Sequence, residues 1–167
     1  MSMRTGFSLL TLMLTVAAIA LIATLVVTSS THLASFLVRT DIQLLHACFQ
    51  FARQQAMLYQ KPVALTFDPP RHSYHCLDTT TALSRTTAIA VPSGVYGPPA
   101  DPKTLIQSPI TFADNRILCY PNGTVSAGAV YLMNRLTRCV YAVTIPIAHE
   151  PVMHWYRYSN YQWVACQ

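Results

Sequence analysis

Acidic side chains are scarce in this chain. Asp41, Asp68, Asp78, Asp101, Asp114 and Glu150 are the full set among 167 residues. No two stand at a spacing that places a carboxylate pair on one element, which removes the usual equipment of acid–base hydrolysis. There is no phosphate-binding glycine loop, no G-x-S-x-G elbow and no C-x-x-C pair, so the signatures of nucleotide binding, serine hydrolysis, zinc ribbons and thioredoxin chemistry are missing. The 11 basic residues are scattered from Arg4 to Arg157 without a run of like charge, whereas a nucleic-acid groove needs a clustered stripe. His72, His75 and Cys76 are close in sequence, but on a strand His75 points away from the other two. His149 and His154 flank a proline and make no better ligand set. The residues therefore predict no catalytic group, no metal and no cofactor.

What is abundant is apolar surface. Hydrophobic residues make up 52% of the chain and charged residues 10%, far from the composition of a disordered polypeptide. The apolar residues are concentrated first in a run from Phe7 to Val27, about 21 residues and thus the length of a helix that spans a bilayer. The run is longer than the core of a cleaved secretory signal, and no A-x-A pattern follows it. Arg4 precedes the run and no positive charge closely follows, which orients the amino terminus to the cytoplasm and the remainder outside. An ordinary signal anchor would show these same features.

The helical pattern continues beyond the run. From Leu33 to Tyr59 there is neither Pro nor Gly. Leu33, Leu37, Leu44, Cys48, Phe51 and Leu58 form one apolar stripe. Val38, Ile42, Leu45, Phe49, Ala52 and Ala56 form a second beside it, with Arg39, Gln43, His46, Gln50 and Gln54 opposite. One stripe can cover a sheet while the other meets neighbouring molecules; alternatively both are buried in one domain. Pro62 ends the helix. Strands are predicted at 61–67, 72–77, 87–91, 110–112, 117–120, 129–133, 139–145 and 152–156, with turns at Asp68-Pro69-Pro70 and Pro121-Asn122-Gly123-Thr124. Residues 79–103, rich in Thr, Ser, Pro and Gly, read as a loop crossing the sheet. Asn122-Gly123-Thr124 also matches a glycosylation acceptor by pattern and is read as a turn. The aromatics of Tyr156-Arg157-Tyr158 and Tyr161-Gln162-Trp163 are expected to pack on the sheet. Of the five cysteines, Cys76, Cys119, Cys139 and Cys166 lie beyond the helix. In an oxidising compartment they would form two disulfides, with three pairings open; as small buried hydrophobes they would form none.

Two stretches carry a family resemblance. Gly6-Phe7, with Ser8-Leu9-Leu10 after it, resembles the signal of type IV pilins and type II secretion pseudopilins. Ala52-Arg53-Gln54-Gln55-Ala56, running into Lys61-Pro62-Val63-Ala64-Leu65, is similar to the helix end and first strand of the H-type minor pseudopilins and of the related FimT-like minor pilins. Ile110-Thr111-Phe112 through Asn122-Gly123 to Val130-Tyr131-Leu132 follows that family's order of strand, glycine turn and strand.

The resemblance implies an α+β, pilin-like fold, with a long N-terminal transmembrane helix packed on a small antiparallel sheet. It divides the chain into a leader at 1–6, a membrane helix at 7–27, an extramembrane continuation at 28–60 and a β domain at 61–167. It implies cleavage by a prepilin peptidase between Gly6 and Phe7 and methylation of Phe7. Its partners would be other pseudopilin subunits, the inner-membrane assembly platform and the lipid bilayer, with the β domain on the periplasmic side of a bacterial inner membrane. The family usually has glutamate at the fifth mature position, where this chain has Thr11. A threonine hydroxyl can return to its own helix but cannot supply the charge pairing of a carboxylate in hydrocarbon. The implied function is that of a minor pseudopilin in a secretion pseudopilus. The alternatives are a type IV pilus or DNA-uptake minor pilin, and a single-span envelope protein with an external ligand-binding domain.

Overall fold

The computed structural model describes residues 9–97, 104–148 and 151–166, with side chains described from residue 11 to 23 and from residue 33 onward. Gly6 and Phe7 lie outside the described residues. So do Asp101, His149 and Glu150, and part of the predicted membrane segment 7–27. Among the described residues, no helix is long and apolar enough to cross a membrane.

Helix α1 runs from Leu9 to Tyr59. The chain forms two compact units, 1–33 and 34–167. In the first, every side chain from Thr11 to Ala23 is exposed, including Leu12, Met13, Leu14, Val16, Ile19, Leu21 and Ile22. The second unit holds the C-terminal part of α1 and nine strands: β1 (Val63–Asp68), β2 (Ser73–Cys76), β3 (Thr79–Ala82), β4 (Thr87–Ile89), β5 (Arg116–Cys119), β6 (Gly128–Asn134), β7 (Val140–Ile145), β8 (His154–Ser159) and β9 (Gln162–Cys166). α1 stops where Gln60 takes a left-handed conformation (φ 52°) and its side-chain amide donates to the Met57 carbonyl at 2.8 Å, two residues ahead of the predicted breaker, Pro62.

The strands form two antiparallel sheets, ordered β3-β2-β1-β5 and β4-β6-β7-β8-β9. Both lend one face to the core beneath α1. The first contributes Leu65, Phe67, Tyr74, Cys76, Ile117 and Cys119, and the second Ile89, Val130, Leu132, Tyr141, Val143 and Ile145. The helix meets them with Val38, Ile42, Leu45, Phe49, Ala52 and Ala56, all buried. This is the second of the two predicted stripes. The first stays outside: Leu33, Leu44, Phe51 and Leu58 are exposed, and Leu37 and Cys48 are half-buried. The reading with one covering stripe and one outward stripe is the one observed.

The opposite face of the second sheet holds a smaller core of Val95, Ala129, Tyr131, Val140 and Ala142. Residues 91–97 and 104–106 lie over it, and Gly97 donates to the Thr104 carbonyl at 2.6 Å. The expected loop across the sheet is therefore found, with two differences. Thr79–Ala82 is strand β3, paired with β2. Its threonines are largely exposed, so no apolar alternation announced it. Conversely, the predicted strand 110–112 narrows to a bridge between Ile110 and Val130, beside which Thr111 and Ala129 exchange hydrogen bonds. It shares one edge of β6 with β4, which pairs further along at 132–134. Phe112 lies over Gly128 so closely that a Cβ there would stand 2.5 Å from the ring. The C-terminal aromatics form a hairpin of β8 and β9, so β9 is a strand the sequence pattern did not separate from its neighbour.

Two phenylalanines two residues apart on α1 provide a direct check of this packing. Phe49 is 0% exposed and Phe51 is 50% exposed. Phe49→Ala is expected to cost about 3–5 kcal/mol, and Phe51→Ala within about 0.5 kcal/mol of nothing. Urea unfolding of both variants measures the difference, and equal losses would mean the helix is rotated from the face described. Gly128→Ala is expected to cost about 1–3 kcal/mol because the Phe112 ring must move.

Candidate functional site

The described residues do not assemble a catalytic constellation. No three His, Cys, Asp or Glu side chains among them come together as a metal site. The His75 ring meets the Thr80 hydroxyl at 3.0 Å on the exposed side of β2, while His72 Nδ1 accepts from the Ile89 amide at 3.2 Å. The two rings thus turn to different neighbours; His72 precedes β2 at a positive φ of 50°, so the turn and not the alternation of a strand directs its ring. A cavity of about 380 Å³ near 104–108, Thr111 and Tyr131 is lined without a charged side chain.

What the fold presents instead is the outward face of α1 between Phe36 and Tyr59. Phe36, Leu44, Phe51, Leu58 and Tyr59 are all at least half or nearly half exposed, at 49–71%. Leu37, Leu44, Phe51 and Leu58 recur every seventh residue, the spacing that keeps a seam facing a partner helix. No acidic or basic residue falls on that seam. The polar side chains Arg39, Gln43, His46, Gln50 and Gln54 flank it, with Gln50 and His46 in hydrogen-bond contact at 3.2 Å.

This helix is held to the sheets at one polar point. Asp41 is 7% exposed, and its carboxylate accepts from the Ser84 amide at 3.2 Å, the Ser84 hydroxyl at 2.6 Å and the Thr87 hydroxyl at 2.5 Å. Ser84 and Thr87 belong to the segment leading from β3 in one sheet to β4 in the other. The carboxylate thus fastens α1 where the chain changes sheets, and its burial is tolerated because its oxygens are bonded. The sequence reading counted Asp41 only as an isolated acid. A lone carboxylate between two apolar stripe residues, Val38 and Ile42, was the available signal.

Thr11, the predicted altered assembly contact, is an exposed residue of α1. The four cysteines offered for disulfides are free thiols, as is Cys48. Cys76 stands opposite Leu65 and Cys119 opposite Val63, on either side of β1. Two strand spacings, about 9.5 Å, separate them, beyond the reach of a disulfide. Cys166 pairs with Trp155 on β8, which in turn pairs with Val143, so it lies two strands from β7, while Cys139 precedes that strand at its other end. Burial pushes both core thiols up, Cys119 to about 11, helped by the neighbouring thiol Cys76.

A model of the family described as type II transport protein GspH matches residues 41–145, from the fastening carboxylate to the end of β7. No curated protein and no solved structure matches the chain. The matched segment contains the phrase from Ala52 to Leu65 and the Phe112 and Gly123 order singled out in the sequence. It leaves Gly6, Phe7, Thr11 and Cys166 outside.

Two outcomes follow for the fastening groups. Asp41→Ala removes the acceptor shared by three buried or half-buried donors and is expected to cost about 2–4 kcal/mol in urea unfolding; a loss no larger than that of an exposed residue would show that the bonds contribute nothing. The His72 ring is held below its ordinary range, first by burial and then by Arg135. Its neutral form accepts the Ile89 amide, so this contribution is complete above the unfolded value of about 6.5 and falls as pH drops through the folded one, where the unfolded chain binds more protons. Thermal midpoints of the chain and of His72→Asn between pH 7.5 and pH 5 should diverge, the chain losing more on acidification.

Proposed function

The chain belongs to the GspH family of type II transport proteins, minor pseudopilins of the type II secretion system, and from that premise we propose that it works as a membrane-anchored fibre subunit whose contribution is assembly. The observation that carries the reading is the division of α1 between Ala34 and Tyr59 into a stripe buried under the sheets and a stripe left exposed. A monomer has no use for the exposed row of Leu44, Phe51 and Leu58, whereas a subunit packed among the helices of its neighbours buries it. At about 25 cal/mol per Å², two or three such side chains contribute several kcal/mol to each contact.

The N-terminal part of the proposal rests on the sequence. The peptidase cuts between Gly6 and Phe7, Phe7 is methylated, and 7–27 holds the subunit in the bacterial inner membrane with its β domain in the periplasm. The exposed apolar side chains from Leu12 to Ile22 accord with this, since a helix apolar all round needs lipid or other protein about it. Thr11 replaces the customary carboxylate, so entry into the fibre relies on helix packing rather than on a charge pair with a neighbour's amino terminus. Threonine costs little in the bilayer and returns its hydroxyl to its own helix. Other pseudopilins, the prepilin peptidase and the assembly platform are the partners this reading requires.

Intact mass and N-terminal sequencing test the processing. Expressed with a prepilin peptidase, the chain should begin at N-methylated Phe7; without it, at Met1 or Ser2. An unprocessed chain in both samples removes the proposal of cleavage. For assembly, Leu44→Glu with Phe51→Glu should leave the urea midpoint close to that of the parent and reduce co-purification with sister pseudopilins by at least about tenfold. Unchanged co-purification would move the contact off this stripe.

A further inference from the structure

We propose that the free edge of β9 is a docking edge to which an extended, acidic segment of a different protein adds as a sixth strand. The site lies at 162–166, outside the family-matched residues, and does not depend on the fibre reading.

The hairpin fixes which backbone groups are available. Ser159 pairs with Gln162 across a two-residue turn, Asn160 and Tyr161, both at positive φ (50° and 60°). In such a hairpin the pair next to the turn exchanges hydrogen bonds, as does every second pair beyond it. Arg157 with Val164 and Trp155 with Cys166 are therefore the bonded pairs. The N–H and C=O groups of Trp163 and Ala165 point away from β8. Among the described residues, no backbone hydrogen bond reaches them.

Sheet edges are normally guarded by charge, proline, a bulge or a covering loop. Two other edges here are covered. β4 spends its outward amides on Ser84 and His72, and β5 spends its own on Ser126. The β3 edge is four residues long and threonine-rich. Gln162-Trp163-Val164-Ala165-Cys166 contains no charge and no proline, and its register with β8 is unbroken; among the described residues, the loop at 91–97 reaches β9 through the Trp163 indole, which donates to the Tyr96 carbonyl at 2.9 Å, and not through the outward backbone groups. The turn that presents it carries Tyr161, 85% exposed and held where a glycine would sit without strain.

The charge beside the edge selects the occupant. Arg157 lies one strand in, on the face shared with Val164, and its Nε is buried without a hydrogen-bond partner. Arg157 and the exposed Arg39 of α1 both act on Tyr141. Neither makes an ion pair among the described residues; the two pairs there are Arg71 with Asp68 and Arg116 with Asp114. An added strand would lie two strand spacings, about 9.5 Å, from Arg157, a gap that a long acidic side chain and the arginine bridge by leaning toward each other over Val164, where a carboxylate satisfies the guanidinium. A second copy of this chain is a poor donor: among the described strands, the one acidic residue is Asp68, at the end of β1.

The test uses the full chain in detergent micelles, read by amide hydrogen exchange. In the free chain, the Trp163 and Ala165 amides should exchange as open ones do. A blocked octapeptide alternating Val and Glu should slow both by about tenfold or more, and its Val–Lys counterpart should not. Ala165→Pro removes one outward N–H at an edge that tolerates proline, and Arg157→Gln removes the cation; each should weaken the acidic peptide by about tenfold, with the fold intact by circular dichroism. The proposal is overturned if these amides are already protected in the free chain, if neither peptide protects them, if the Lys peptide does so equally, or if a single-stranded oligonucleotide protects them instead.

Discussion

A single buried carboxylate sets the geometry on which the rest depends. The bonds from Asp41 to Ser84 and Thr87 fasten the helix to the short segment that leads from β3 in one sheet to β4 in the other. Burying an ion is costly unless its lone pairs are met, so the arrangement has little slack. If the helix turns, the carboxylate loses three donors; if the sheets part, the donors separate. Apolar packing alone would permit small rotations of α1, because either of its adjacent stripes could face the sheets. The polar fastening chooses between them.

That choice assigns each stripe its work. Val38, Ile42, Leu45, Phe49, Ala52 and Ala56 close the core. The neighbouring stripe is then left outside by geometry, without any loss of internal stability. A helix whose apolar arc exceeds what its own domain can cover is an expected feature of a subunit made to be packed among others. The same economy is visible in the second sheet, where β7 is buried on both faces and residues 91–97 and 104–106 seal the side opposite α1.

The helix and the main strands were legible because period and burial agree in them. Val63–Asp68 alternates, Val140–Ile145 is apolar but for Thr144, and Pro62 marks the boundary between helix and sheet. β3 escaped because Thr79–Ala82 pairs through its backbone while its side chains remain in water, so hydrophobicity carried no trace of it. The 110–112 strand was overread for the opposite reason: Ile110 and Phe112 are buried, but β4 occupies the rest of the same edge of β6. The two stripes on α1 were visible in the sequence; which of them faces inward depended on Asp41 and on the sheet junction, a contact spanning more than forty residues. The cysteines looked pairable because sequence does not show that β1 stands between Cys76 and Cys119.

The position of those thiols bears on how long the molecule lasts. A thiol pushed to about 11, as Cys119 is, is ionised at neutral pH to roughly one part in ten thousand, and thiolate is the form that attacks a disulfide or an oxidant. Cys119 and Cys76 are also closed to solvent. The centre of the domain is therefore chemically quiet. Neither core thiol depends on an oxidising compartment for its packing. A domain so built keeps its two core thiols out of disulfide exchange.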